Sequence, residues 1–160
     1  MTLPDISIRP VNNRQELEAC FAIRMSVFVE EQQVPVDEEI DEYDVSWTAC
    51  RHFLVRVDGQ PAGTGRYRSY QELPSTVKLQ RIAILPEYRG ASLGRLLLLT
   101  METDAASRGA LIAVLDAQCQ AEPFYAKLGY ETLTVEPFLD AGIPHVRMIK
   151  PLESARGAEV

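Results

Sequence analysis

Along this chain apolar residues first alternate with polar ones, then recur every three or four positions, then alternate again, and that succession predicts its elements. Ile6, Ile8 and Pro10 open a short strand. Asn13 followed by Glu16 has the form of a capping box. Leu17, Cys20, Phe21, Arg24, Met25 and Phe28 keep helical spacing after it, which predicts a helix over 13–31. The pattern breaks at Pro35. The acidic run Asp37, Glu38, Glu39, Asp41, Glu42 and Asp44 has too few apolar residues for a core element and predicts a surface loop or a short exposed helix. Phe53, Val55 and Val57 alternate up to Asp58-Gly59, a hairpin signal, and the return strand runs over 62–70. Val77, Leu79 and the apolar stretch 82–85 form a strand that stops at Pro86. Leu93, Leu96, Leu97, Thr100, Met101 and Asp104 then keep helical spacing to Gly109, a C-terminal cap. A buried strand over 111–116, a helix from Glu122 and strands over 130–136 and 143–150 complete the order β-α-β-β-β-α-β-α-β-β.

Composition narrows the classes. The 160 residues, 46% of them hydrophobic, suit a single domain over 1–153 with a frayed tail over 154–160. No leader pattern opens the chain and no apolar run approaches a membrane span, so the expectation is a soluble cytoplasmic protein. Cys20, Cys50 and Cys119 contain no CxxC pair and the two histidines lie far apart, which suggests neither a disulfide framework nor a metal site. A net charge of −7 argues against nucleic acid and favours cationic or neutral substrates.

The chemistry-bearing segment is 76–108. Arg89-Gly90-Ala91-Ser92-Leu93-Gly94 lies between an apolar strand and an amphipathic helix, where free amides and the helix dipole favour an anion. An ordinary strand-to-helix connection is the plainer reading of these glycines. Neither GxxxxGK[ST] nor GxGxxG is present. Arg89 and Arg95 flank the turn, either as charge for a pyrophosphate or as solvated surface arginines.

Leu85-Pro86-Glu87-Tyr88-Arg89-Gly90, followed by Phe124-Tyr125-Ala126-Lys127-Leu128-Gly129-Tyr130, resembles the GCN5-related N-acetyltransferase (GNAT) superfamily. Arg24, Val27-Phe28-Val29, Glu31-Gln32, Val34-Pro35, Asp41, Asp44, Ala117-Gln118 and Gly142-Ile143-Pro144-His145 with Met148 resemble its ElaA-like branch, so the likeness covers 5–150. It implies an α/β (α+β) GNAT fold with a mixed central sheet of about six or seven strands and about four helices. It also implies acetyl transfer from acetyl-CoA to a primary amine, on a small amine, an amino sugar or a peptide, by direct transfer in a ternary complex. No metal is implied, and a homodimer is common among relatives. The alternative reading is a non-catalytic CoA-binding or regulatory module.

By the same resemblance, the backbone at Ile82, Ala83 and Ile84 pairs with the pantetheine arm, and the amide of Ile84 serves as oxyanion donor. Arg89, Gly90, Ala91, Ser92, Leu93, Gly94 and Arg95 hold the pyrophosphate, Gln118 contacts CoA, and Tyr125 is the general acid. Ser92 stands where the family has glycine, and Ala141 where the branch often has an acidic residue. Ala113 closes the strand-glutamate route to a base, which leaves Glu31, although a carboxylate at a helix end is more often simply exposed. His145 and His52 titrate in the right range, although a lone histidine is more often structural. Phe28, Glu31, Gln32, Tyr67 and Arg68 are the acceptor-side residues. The acidic run either attracts an ammonium substrate or is simply solvated.

Overall fold

Asn13 starts the first helix as its spacing predicts. In the computed structural model, which describes residues 2–153, its extended backbone lets the side chain accept from the Glu16 amide at 2.8 Å, and the Glu16 carboxylate accepts from the amide of Asn12 at 3.1 Å. Helix α1 spans Arg14–Arg24, and the chain then continues as a π-helical segment, Met25–Glu31. Its wider turns are marked by the Gln32 amide donating to the Val27 carbonyl at 3.1 Å. The single helix expected over 13–31 therefore changes period after Arg24. Each extra residue per turn rotates later side chains by about 100° relative to an α-helix.

The remaining elements are β1 (Ile6–Pro10), α2 (Val36–Glu39), β2 (Arg51–Val57), β3 (Gln60–Ser69), β4 (Thr76–Ile84), α3 (Leu93–Ser107), β5 (Ile112–Gln118), α4 (Glu122–Lys127), β6 (Glu131–Thr132), β7 (Phe138–Asp140) and β8 (Ile143–Pro151). The strands hydrogen-bond in the order β1-β2-β3-β4-β5-β8-β6, with β7 also on β8, giving an eight-stranded mixed sheet. β4 and β5 are parallel; the β1–β2, β2–β3, β5–β8, β6–β8 and β7–β8 pairs are antiparallel. The strand expected over 130–136 is shorter, and β7 is an additional one. The tail expected over 154–160 lies outside the described residues.

The described residues divide into two compact units. The first, up to Tyr67 and from Arg81 to Met101, contains β1, β2 and most of β3, with α1 packed on β2. Asp58 and Gly59 turn the β2–β3 hairpin at φ 50° and 81°. Leu17, Cys20 and Ile23 from α1, with Val11, Val27, Leu54 and Ala83, form a closed apolar cluster. Beside it lies a buried ion network. The Arg24 guanidinium, 1% exposed, donates to Glu39 at 2.8 Å and to both oxygens of Asp44 at 2.7 and 2.9 Å. Arg66, equally buried, donates to Asp41 at 2.8 and 2.6 Å and to Asp44 at 2.9 Å. Arg81 reaches Glu39 at 3.2 Å and Asp41 at 3.4 Å.

The acidic run is thus not a plain surface loop. Asp37, Glu38 and Glu42 are exposed, but Glu39 and Asp44 are buried against arginines, because the buried guanidinium groups of Arg24 and Arg66 cannot leave water without counter-charges. Burial alone would raise the Asp44 pKa. Hydrogen bonds from Arg24 and from the Asp41 amide, with the charges of Arg24 and Arg66, hold it instead far below the usual carboxylate range.

The second unit, Arg68–Gln80 and the described residues from Glu102 onward, is built on β5. Thr76–Leu79 pair with Ile112–Leu115 in parallel, and Ile112–Gln118 pair along their whole length with His145–Pro151. Leu79, Ala113, Leu115, Ala117, Val146 and Met148 are buried. The face bearing Asp116 is polar: its carboxylate takes two hydrogen bonds from Arg147 at 2.8 and 3.1 Å and an ion pair from Lys78 at 3.0 Å. Those partners overcome burial and lower its pKa.

Removing the shared carboxylate in Asp44→Ala leaves two buried guanidinium groups with one counter-charge each, Glu39 for Arg24 and Asp41 for Arg66. The expected cost is about 3–5 kcal/mol of unfolding free energy, measured by urea denaturation. The same carboxylates set the acid limit. Asp44 and Asp116 are depressed below their ordinary 3.8, so their contribution is complete above that value and is lost as pH falls below it toward their lower folded-state values. Glu39 works the other way, because burial outweighs its arginines and raises its pKa from 4.5. A melting temperature nearly flat from about pH 7 to about pH 5 and falling below about pH 4 is the expected outcome in a circular-dichroism series.

Candidate active site

In the first unit, the segment between β4 and α3 has the conformation its glycine spacing foreshadows. Pro86–Tyr88 form a single 3-10 turn, Gly90 takes φ 87°, and a Cβ placed there would meet nothing within 4 Å. Ser92 takes φ 62°, a conformation that suits glycine, and its carbonyl accepts from the Leu96 amide at 3.1 Å. The α-helical ladder starts there, so the amides of Leu93, Gly94 and Arg95 have no acceptor within it. A 15-residue helix behind them adds its dipole. Open space at Gly90 and first-turn donors suit a pyrophosphate, so the residues present fit the acyl carrier. Leu93 is buried, so only its backbone is available; Arg95 is exposed.

Arg89 holds this region together. Its Nε donates to the Ile84 carbonyl at 2.9 Å, and its two terminal nitrogens donate to the two oxygens of Glu31 at 2.8 and 2.7 Å. Ile84, Arg89 and Glu31, named separately from sequence, are therefore joined by one guanidinium. The hydrogen bonds from Arg89 lower the Glu31 pKa, and a carboxylate so stabilised is a weaker proton acceptor. Upstream, Arg81 sits at φ 56° within β4, its side chain committed to Glu39 and Asp41. The parallel ladder to β5 ends before it, and Ile82, Ala83 and Ile84 follow.

Of the acceptor-side residues in this unit, Phe28 packs partly against the apolar cluster, and Gln32 follows the π-helical segment. Tyr67 is buried with its ring 6.0 Å from that of Phe53. Arg68 belongs to the second unit and donates to the Ser69 carbonyl at 3.1 Å. His52 is structural: its Nε2 lies 2.9 Å from the Tyr43 carbonyl, and burial lowers its pKa.

In the second unit, Gln118 ends β5 and accepts from Gln120 at 2.5 Å. Tyr125 lies on α4, its ring edge-on to Phe124 at 5.0 Å and to Tyr130 at 6.0 Å. Burial pushes its phenol up to about 12, and no group among the described residues hydrogen-bonds it. The ring behind it is fixed: the Tyr130 hydroxyl donates to Glu102 at 2.8 Å, and Lys150 donates to the other Glu102 oxygen at 2.6 Å. Sequence reasoning missed Glu102 and Lys150. Glu102 falls at helical spacing between the buried Leu98 and Ala105, and a carboxylate on an apolar stripe was the available signal. Among the described residues no group of three or more His, Cys, Asp or Glu side chains is placed to hold a metal ion, and no helix is long and apolar enough to cross a membrane.

Similarity to known proteins gives the class. The family profile described as an acetyltransferase (GNAT) domain matches residues 22–152. The uncharacterised N-acetyltransferase YjcF of Bacillus subtilis is 42% identical over 138 residues, 86% of this chain and 94% of that protein. Among solved structures, a candidate N-acetyltransferase of Lactobacillus plantarum superposes with a TM-score of 0.84 at 28% identity, covering 92% of this chain and 99% of its own. Escherichia coli ElaA, at 24% identity and a TM-score of 0.77 over 92% of this chain and 99% of its own, shares the fold. The chain is an acyltransferase enzyme and belongs to the GNAT acetyltransferase family.

Ser92 gives this turn a measurable peculiarity. A left-handed residue with a side chain costs about 1–2 kcal/mol, of which glycine recovers part, so Ser92→Gly is expected to raise unfolding free energy by about 0.5–1 kcal/mol in a thermal melt. Calorimetry with acetyl-CoA separates the roles: affinity within about twofold leaves the hydroxyl without a phosphate contact, and a tenfold loss, about 1.4 kcal/mol, gives it one.

Proposed function

We propose that this enzyme transfers an acetyl group from acetyl-CoA to a primary amine of a small amine, an amino sugar or a peptide, directly within a ternary complex. The turn carries the reading: helix-start amides, open space at Gly90 and arginines on both sides match a pyrophosphate. Acetyl-CoA supplies an activated thioester. The amides from Gly90 to Arg95 hold its pyrophosphate, the backbone of Ile82, Ala83 and Ile84 aligns its pantetheine arm, and Gln118 makes a further contact. The Ile84 amide donates to the oxygen on which charge develops.

Tyr125 is the acid. Burial keeps its phenol protonated at neutral pH, the state needed to give a proton to a departing thiolate, and nothing among the described residues competes for that proton. Phe28, Gln32, Tyr67 and Arg68 belong to the acceptor side, and Glu31 joins them when its pair with Arg89 opens. Three free cysteines fit a cytoplasmic protein, and one catalytic domain over 1–153, working as a homodimer, belongs to the same proposal.

Thiol release from acetyl-CoA against spermidine, glucosamine, kanamycin and a lysine-containing peptide identifies the acceptor class. Against an active amine, Tyr125→Phe is expected to lower kcat by about 100-fold with acetyl-CoA affinity unchanged. Unaltered turnover in that variant removes Tyr125 from the chemistry, and silence of the wild-type enzyme on every amine refutes the transfer reading.

A further inference from the structure

With Glu31 bound by Arg89, the described residues offer a better proton acceptor elsewhere: we propose that His145, through its Nε2, is the general base that deprotonates the acceptor ammonium. The inference rests on the acetyl-transfer reading above. His145 lies on β8 directly opposite Gln118 of β5, so the two side chains leave the same face of the sheet with their Cβ atoms about 5 Å apart. Gln118 is the last residue of β5. The turn after it, Cys119–Ala121, packs on β5 and β8 and leads directly into α4, which carries Tyr125.

The ring is held in one state. Its Nδ1 lies 2.6 Å from the Ile143 carbonyl, and a carbonyl only accepts, so Nδ1 carries a proton, and in the neutral ring the lone pair is on Nε2. Phe138, the cross-strand neighbour on β7, stacks on the ring at 6.1 Å and 24°, which fixes its plane. Among the described residues nothing hydrogen-bonds Nε2, yet this nitrogen is absent from the fully buried polar atoms left without a partner. The residue as a whole is 8% exposed. A buried imidazole oriented through one ring nitrogen, with the other free of protein partners among the described residues, is placed to accept a proton.

The charged groups on this face of the adjoining strands are few. Asp116 is bound by Arg147 and Lys78, Asp140 lies exposed on β7, Glu131 lies exposed on β6, and Cys119 sits in the turn. Only the imidazole offers an uncommitted nitrogen base. In the step, Nε2 takes one proton from the ammonium, and the freed amine nitrogen forms a C–N bond to the acetyl carbon as the C–S bond breaks. The thiolate receives the Tyr125 proton, the phenolate regains one from the new amide nitrogen, and the imidazolium returns its proton to solvent. The net products are the acetamide, the thiol and one proton.

The test combines kinetics with a readout that needs no turnover. Long-range 1H–15N spectra of the wild-type protein should show His145 protonated at Nδ1 when neutral, titrating at the midpoint of the acid limb of kcat/KM measured with the active amine of the panel. His145→Ala should lower kcat/KM by about 100-fold or more, abolish that limb and keep the wild-type affinity for acetyl-CoA by calorimetry. Added imidazole should restore part of the rate. His145→Gln, which keeps the polar volume, should fail equally while melting close to wild type. Activity within about threefold in either folded variant, an unchanged acid limb, or an Nε2-protonated ring overturns the assignment and leaves the acetyl-transfer reading intact. Wild-type silence on every amine overturns both.

Discussion

Two guanidinium groups enter the interior of the first unit and a third lies half-buried beside them, and a single short stretch of chain neutralises all three. Arg24 comes from α1, Arg66 from β3 and Arg81 from β4, whereas Glu39, Asp41 and Asp44 lie within six residues. Neither side is stable in the interior alone: an isolated buried charge costs several kcal/mol, and 36–44 has too little apolar surface to dock by hydrophobic burial. Docking of that stretch and burial of the arginines are one event. The strain at Arg81 belongs to it, because a left-handed arginine in mid-strand persists only where surrounding contacts over-determine it. Ile82 to Ile84 follow directly, so the network fixes where that backbone runs.

What could be read from sequence was what local chemistry decides. Asn13 caps a helix through its own side chain, Asp58-Gly59 turns a hairpin through its own dihedrals, and Gly90 opens its turn through the lack of a Cβ. What escaped depends on partners far along the chain. Asp44 finds Arg24 at a separation of 20 residues, and Asp41 finds Arg66 at 25, so the acidic run looked like a solvated loop. The change to π-helical period after Arg24 left no mark in the spacing. At the site, Tyr125 was legible through its aromatic motif, whereas the free nitrogen of His145 depends on a carbonyl two residues away and a stacked ring from another strand.

The two aromatic sites of the second unit are held by unlike means. Tyr130 is locked by an ion-paired carboxylate in a buried setting, and it supplies a rigid wall against which Tyr125 stands edge-on. His145 is locked by its own strand and a neighbouring phenyl ring. In both cases a ring is fixed by a hydrogen bond at one polar atom and by contact with a neighbouring ring.

The Glu31–Arg89 pair has a consequence for electrolytes. Any phosphate ligand of the turn that recruits Arg89 must displace a carboxylate already gripped at two points. Salt weakens the incoming contact and the outgoing one together, since both pair the same exposed guanidinium with an oxyanion. The exchange therefore responds to ionic strength far less than capture by a bare arginine would, and the internal carboxylate acts as a buffer that keeps the turn's preference steady as the surrounding ions change.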